Sequence, residues 1–183
     1  MNVLIIDTET TGLDPSKGAK CIEVGALLFN VETKAVIQSL STLLPCDENP
    51  CENINHIAVE WTQAEKPWGA ALHFLVFMAE HSKYIIAHNA DFDKKFMATL
   101  PIRIDRHWIC TKNDFRWPVQ LYRKRLQDIC EAMGVQYTNA HRAINDCGFI
   151  AKCFKKVEDL EQRLLDAGTG KGVATFDKNK YNQ

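Results

Sequence analysis

The chain has 183 residues, which is long enough for one domain with a substantial core. Lys and Arg total 22 and Asp and Glu total 23; this balance excludes a uniformly basic nucleic-acid-binding surface, so such binding would depend on local patches or bound cations. The seven cysteines contain no C-x-x-C pair, which indicates reduced thiols rather than structural zinc. Without a signal-peptide pattern or an apolar stretch that could span a bilayer, we expect a cytoplasmic protein.

The first part of the chain predicts an antiparallel sheet. Asn2 to Asp7 is a β-rich run that ends in an acid, and it is predicted to be a central strand. Two further strand patterns cover residues 21–30 and 35–44, and with the first run they predict a three-stranded meander. Residues 45–55 contain two prolines and many turn-forming residues, which predicts a loop.

Helices and short strands alternate in the rest of the chain. The predicted helices cover 68–82, 90–100, 125–134 and 141–157, and the predicted strands cover 83–88 and 107–111. This order predicts an α/β fold with a mixed five-stranded sheet, in which antiparallel strands 1-2-3 are followed by parallel strands and helices flank the sheet. We expect a domain of residues 1–167 and a loose C-terminal tail over 168–183, where Gly, Lys and Asn predominate.

In such sheets, sites form at the carboxyl ends of the central strands. Asp7 and Glu9 are two residues apart at the end of the first strand, and strand alternation sends both side chains to one face. Two neighbouring carboxylates repel each other unless a cation lies between them, and Mg²⁺ prefers oxygen ligands. Taken alone, this stretch fits either a cation site or a strand that runs into a polar turn with solvated acids.

Further acids follow the later strands. Asp91 and Asp93 lie at the start of a predicted helix, for which Asn89 is the predicted N-cap. Stabilisation of the helix dipole explains Asp91 well and Asp93 less well, because Asp93 lies between aromatic residues. His141 and Asp146 are five residues apart, about 140° round a helix, so they would not share a face if both were helical. Either they are unrelated, or His141 precedes the helix and reaches back over its first turns.

Three short motifs occur in a fixed order in this chain. D-x-E matches Asp7 and Glu9, N-x-x-F-D matches residues 89–93, and H-x4-D matches His141 and Asp146. Together they resemble the DEDDh branch of the DnaQ-like 3′→5′ exonucleases, whereas the sister branch would have Y-x3-D. The stretches that resemble the bacterial exonuclease X subgroup are AEKPW at 64–68, HWICT at 107–111, RWP at 116–118 and HRAINDC at 141–147.

The resemblance implies a ribonuclease H-like fold and a set of site residues. The second motif selects Asp93 rather than Asp91. The implied ligands of two Mg²⁺ or Mn²⁺ ions are Asp7, Glu9, Asp93 and Asp146. His141 is implied as the general base on the loop before the helix, where an imidazole suits proton transfer near neutral pH.

The resemblance also implies a substrate. We expect metal-dependent 3′→5′ hydrolysis of DNA to nucleoside 5′-monophosphates at single-stranded or frayed ends, in repair or end trimming. An exoribonuclease of the oligoribonuclease or RNase T kind is the main alternative, and a catalytically silent nucleic-acid-binding module is a third. Since 37 residues follow Asp146, we expect a freestanding enzyme rather than a polymerase-tethered one.

Several residues are candidates for substrate contact. Thr10 and Leu13 are expected to frame the terminal nucleotide, because the turn after Glu9 must lie beside the metals. His56 matches the histidine of the family's I-H-G-I-T segment. The basic residues that either contact phosphates or form a solvated helix flank are Arg116, Arg123, Lys124 and Arg125.

Overall fold

The computed structural model describes residues 1–64 and 67–170 of the chain. The strands in these ranges are β1 (Asn2–Thr10), β2 (Cys21–Asn30), β3 (Ala35–Leu43), β4 (Tyr84–Ala87) and β5 (His107–Cys110). The helices are α1 (Glu52–Asn55), α2 (Val59–Gln63), α3 (Trp68–Glu80), α4 (Ala90–Met97), α5 (Leu126–Ala132), α6 (Ala143–Lys155) and α7 (Leu160–Gly168). No helix in the described part of the chain is long and apolar enough to cross a membrane.

The five strands form one mixed sheet in the order β3-β2-β1-β4-β5. β1 pairs antiparallel with β2, and β2 pairs antiparallel with β3. β4 lies parallel to β1 and to β5. The predicted α/β class, the antiparallel meander and the central position of the first strand are therefore confirmed. Since β1, β4 and β5 are parallel, their carboxyl ends meet at one edge of the sheet.

Helices cover both faces of β1, which explains its continuous apolar run. Val3 and Ile5 belong to the core on the α6 side, whereas Leu4 and Ile6 belong to the core on the α3 side. All four residues are fully buried. Two packed layers thus hold the central strand in place, and the polar residues that follow Ile6 emerge at its carboxyl end.

The structure differs from the predicted elements at several points. β1 continues to Thr10 instead of ending at Asp7, because β2 supplies pairing partners as far as Cys21. The predicted loop 45–55 contains the one-turn helix α1 at its end, and α2 and α7 were not predicted. Asn89 occupies the N-cap position of α4, but its side chain makes no cap hydrogen bond and its φ is 73°, so the capping prediction is wrong.

The unpredicted helix α7 forms the C-terminal end of the described residues. α7 extends to Gly168, and its buried residues Leu160, Leu164 and Ala167 have helical spacing. The predicted tail falls mostly on residues 171–183, which lie outside the described residues.

Candidate active site

The carboxyl end of β1 carries two partly buried acids on one face. Asp7 pairs with Gly25 of β2 and Glu9 pairs with Glu23, so both acids lie within the regular part of the sheet. Strand alternation directs both side chains toward the side occupied by α6, as it does for Ile5. The pairing becomes irregular only between Glu9 and Thr10. The two acids are therefore held by the sheet itself and not by a loop.

The third acid reaches β1 from the start of α4. Asp93 is 2% exposed, and the hydroxyl of Thr8 donates a hydrogen bond of 2.9 Å to its Oδ1. Asp91 lies in the same helical turn but is exposed to solvent. The structure thus places Asp93, and not Asp91, beside the acids of β1. Sequence reasoning had not identified Thr8 as the residue that holds Asp93.

The fourth acid and the histidine lie at the start of α6. His141 precedes this helix with φ 65°, in the left-handed region, and is exposed, while Asp146 lies in its first turn and is 8% exposed. Of the two interpretations of their spacing, the one in which His141 precedes the helix is correct. One potential ligand atom from each of Glu9, His141 and Asp146 lies within 4.8 Å of the other two. Asp146 Oδ1 is buried and has no hydrogen-bond partner among the described residues.

Crowding of these acids in a buried place disfavours their charged forms. Burial and, secondarily, repulsion by Asp93 and Asp146 raise the pKa of Asp7 well above its ordinary value. Burial and repulsion by Asp146 raise the pKa of Glu9 to about 8. Burial also raises the pKa of Asp93 to about 7, although the hydrogen bond from Thr8 opposes this shift.

The pKa of Asp146 is also raised, but interactions with His141 partly oppose the shift. Burial raises its pKa to about 6, while the ring and the main chain of His141 act to lower it. A cation among the four acids would favour all their charged forms and would satisfy the unpaired Asp146 Oδ1. The donor set consists of hard oxygen atoms, which is what Mg²⁺ and Mn²⁺ prefer. The residues therefore fit a divalent-metal site.

A further pair of charged residues, missed from the sequence, lies next to these acids. Glu23 on β2 is fully buried and accepts hydrogen bonds from Nε and Nη2 of Arg142 at 3.1 and 2.7 Å. It also accepts the main-chain N–H of Ala143 at 3.0 Å. In the sequence, Glu23 could have been noticed as the one acid in the largely apolar strand CIEVGALLFN.

Small side chains bring α6 close to the sheet at the same place. A Cβ atom at Gly25 would lie 2.4 Å from the main-chain atoms Ala143 C and Ile144 N. The thiol of Cys147 donates to the carbonyl oxygens of Gly25 and Ile5 at 3.4 and 3.6 Å. The helix that carries Asp146 thus lies almost in contact with the main chain of β2.

The candidate substrate-binding residues lie near the end of β1 and differ in their exposure to solvent. Thr10 is buried, and its hydroxyl donates to the carbonyl of Gly12 at 2.7 Å, so it closes the turn. Leu13 is 86% exposed in the same turn. His56 is exposed with φ 56°, and the neighbouring Asn55 donates to the Thr10 carbonyl at 3.3 Å, which ties this segment to β1.

The candidate phosphate-binding residues lie before and at the start of α5. Arg125 forms a capping box with Asp128, including a 2.6 Å contact, so this residue fits the interpretation as a helix flank. Arg123 and Lys124 are exposed. The main chain of Lys124 contacts His88, whose pKa is lowered by burial to about 4. The basic segment therefore crosses near the carboxyl end of β4. The carbonyl of Arg116 accepts a hydrogen bond from Arg163 on α7 at 2.8 Å.

With this arrangement established, comparison with known proteins identifies the family. A family model described as RNase T exonuclease matches residues 4–154, which is most of the chain. The chain belongs to the DEDDh 3′→5′ exonuclease family. Enzymes of this family depend on divalent metals, in agreement with the acidic cluster.

Curated relatives align with this chain over part of their own length. DNA polymerase III PolC-type of Thermotoga maritima is 26% identical over 170 residues, which are 88% of this chain and 12% of the relative. DNA polymerase III subunit epsilon of Rickettsia typhi is 37% identical over 98 residues, 51% of this chain and 42% of the relative. The 3′-5′ exonuclease DinG of Bacillus subtilis is 26% identical, over 87% of this chain and 18% of the relative. The chain thus spans less than half the length of these relatives.

Solved structures share the fold. Exonuclease X in complex with 5′ overhanging duplex DNA superposes with a TM-score of 0.64 at 23% identity, over 91% of this chain and 99% of that one. The nuclease domain of 3′hExo, a DEDDh family member bound to rAMP, gives 0.67 at 18% identity, over 83% and 88% of the two chains. These likenesses confirm the ribonuclease H-like fold that the sequence motifs implied.

Proposed function

We propose that this exonuclease degrades DNA from the 3′ end and releases nucleoside 5′-monophosphates, in repair or end trimming in the cytoplasm. The observation that carries the proposal is the meeting of Asp7, Glu9, Asp93 and Asp146 at the carboxyl end of β1, with the exposed His141 beside them. DNA is favoured because the matched relatives are named as DNA polymerase III proteins and because exonuclease X is described with duplex DNA. The seven free cysteines suit a reducing compartment.

The chain's residues divide the chemical work. The four acids would hold two Mg²⁺ or Mn²⁺ ions, which supply charge neutralisation at the phosphate and a more acidic water. His141, exposed and within reach of the same cluster, accepts the proton of the attacking water. Thr8 keeps Asp93 in place through its hydroxyl. The exposed Leu13 in the turn after β1 supplies an apolar contact for the terminal base.

RNA is the second candidate substrate. One structural neighbour is described as a 3′-exonuclease that recognises the histone mRNA stem-loop (TM-score 0.66), and another is the nuclease domain bound to the ribonucleotide rAMP. Both have under 20% identity, so they support the fold and leave the sugar preference to experiment.

The test uses single-stranded DNA and RNA of one sequence, labelled at the 5′ end, with Mg²⁺, Mn²⁺ or EDTA. We expect the metal to produce a ladder of DNA shortened from the 3′ end, release of nucleoside 5′-monophosphates, and no reaction in EDTA. An oligonucleotide with a blocked 3′ end serves as the control for direction. Faster loss of RNA would replace DNA by RNA in the proposal. Internal cleavage, or turnover in EDTA, would contradict the proposed reaction itself.

A further inference from the structure

The ion pair between Glu23 and Arg142 joins β2 to the residue just before α6. Its two partners are 119 residues apart in the chain, and Glu23 is fully buried. A buried carboxylate is costly unless it is paired and hydrogen-bonded. Here Glu23 accepts from two nitrogens of Arg142, from the Ala143 N–H and, at 3.4 Å, from the Ser41 hydroxyl. The buried carboxylate of Glu23 is therefore fully paired, while the side chain of Arg142 remains partly exposed.

This contact lies at the joint between two candidate catalytic groups. Arg142 directly follows His141, and Ala143 begins the helix that carries Asp146. Glu23 is the direct cross-strand partner of Glu9, so the Glu23–Arg142 ion pair, here called the anchor, lies next to the acids of β1. An ion pair placed here fixes the main chain at the point from which His141 and Asp146 both extend.

The segment before α6 needs such an anchor. Asn139 and His141 have φ values of 55° and 65°, and left-handed conformations of non-glycine residues persist only where the surroundings hold them. The side chain of Asn145 donates to the Asn139 carbonyl at 2.8 Å, which holds the far end of the segment. The Glu23–Arg142 pair holds its near end.

We infer that Glu23 and Arg142 are positioning residues, which keep His141 aligned over the acids of β1 and do not themselves bind substrate. Nε and Nη2 of Arg142 are directed at Glu23, so its charge is already compensated within the protein. This inference rests on the proposed nuclease reaction. A displacement of about 1 Å in such a group can cost about 10²-fold in rate.

The first test measures turnover with the metal-loaded protein on labelled DNA. Arg142→Ala should lower kcat by about 10- to 100-fold with little change in KM, and Arg142→Lys should recover part of the loss. Arg106→Ala is the matched control, since it removes an arginine that donates to the carbonyls of Ser82 and Glu80 before the amino end of β4, at the opposite edge of the sheet from the site. The double variant His141→Ala, Arg142→Ala should lose less activity than the product of the two single losses, because Arg142 acts partly through His141. Additive losses, or a rise in KM alone, would show a substrate contact and overturn the inference.

The second test needs no activity. Hydrogen exchange of the amides of residues 143–147 should become faster in Arg142→Ala and Glu23→Gln, while amides of α3 remain protected. Glu23→Gln keeps the shape of the side chain and serves if Arg142→Ala does not fold. Unchanged protection of α6 would refute the anchor. If exchange rises as expected but the parent protein cleaves no nucleic acid, the proposed reaction fails and the anchor stands.

Discussion

At Gly25 of β2, the helix carrying Asp146 lies against the main chain of the sheet. A Cβ atom there would lie 2.4 Å from Ala143 C and Ile144 N and 2.7 Å from Ala143 O. These are main-chain atoms, so no side-chain rotation can relieve the clash. We predict that Gly25→Ala folds but loses most of its turnover.

The magnitude follows from the distances. Ordinary contact begins at 3.4 Å, so the start of α6 must withdraw by about 1 Å. Overpacking of this kind costs about 1–3 kcal/mol. For a domain of this size, each kcal/mol lowers the melting temperature by about 2–4 °C. The same displacement moves His141 and Asp146 away from Asp7 and Glu9, and a shift of about 1 Å can lower turnover by about 10²-fold.

The assay compares kcat on labelled DNA with the melting temperature of the same preparation. Gly148→Ala is the control, because it makes the same substitution within α6 where nothing lies within 4 Å of the new Cβ. Removing a glycine from a helix interior should make this control up to about 1 kcal/mol more stable with parental turnover. Parental turnover in Gly25→Ala together with a parental melting temperature would refute the close approach of α6 to β2.

Three further predictions concern the acids and their cation. Asp93→Asn should abolish cleavage, whereas Asp91→Asn at the exposed neighbouring acid should keep a rate near that of the parent, as measured by turnover of the folded proteins. Equal losses would show that Asp93 was wrongly chosen over Asp91 as the site residue. Ca²⁺ in place of Mg²⁺ should support DNA binding, measured by fluorescence anisotropy, with little cleavage, because Ca²⁺ adopts looser coordination; fast cleavage with Ca²⁺ would contradict this. Because burial raises the pKa of Glu9 to about 8 and of Asp93 to about 7, their stabilising contribution in the metal-free protein is complete at low pH and is lost as pH rises from about 5 to 8. The melting temperature in EDTA should fall over that interval, and Mg²⁺ should raise it most at the upper end; a melting temperature that rises with pH in EDTA would show that these acids are not crowded.

The sequence was sufficient for most of the fold because its apolar patterns are long and well separated. The run from Val3 to Ile6 is apolar on both faces, as a central strand requires, and β2 coincides with the predicted residues 21–30. Three motifs then indicated five candidate residues. The structure brings Glu9, His141 and Asp146 together and places Asp93 within electrostatic reach of Asp7.

Other features depend on contacts that no local pattern records. α1 and α2 have four and five residues, which is too short for a helical repeat to show. Glu23 and Arg142 meet only when β2 and α6 pack together, across 119 residues. Thr10 was predicted from its place after Glu9 to contact substrate, but whether its hydroxyl is free depends on the fold of the turn, where it donates to Gly12.

β1 and β2 carry different residues of the site, so the pairing of these two strands determines how the site is assembled. β1 carries Asp7 and Glu9, whereas β2 carries Glu23 and Gly25, the residues on which α6 rests. The pairs Asp7↔Gly25 and Glu9↔Glu23 are direct cross-strand partners. Side chains alternate along a strand, so a slip of one residue would turn Glu23 to the opposite face and remove the anchor of α6. The strand register therefore sets the position of Asp146 and His141 relative to the acids of β1, and the pairing stays regular until both acids have been placed.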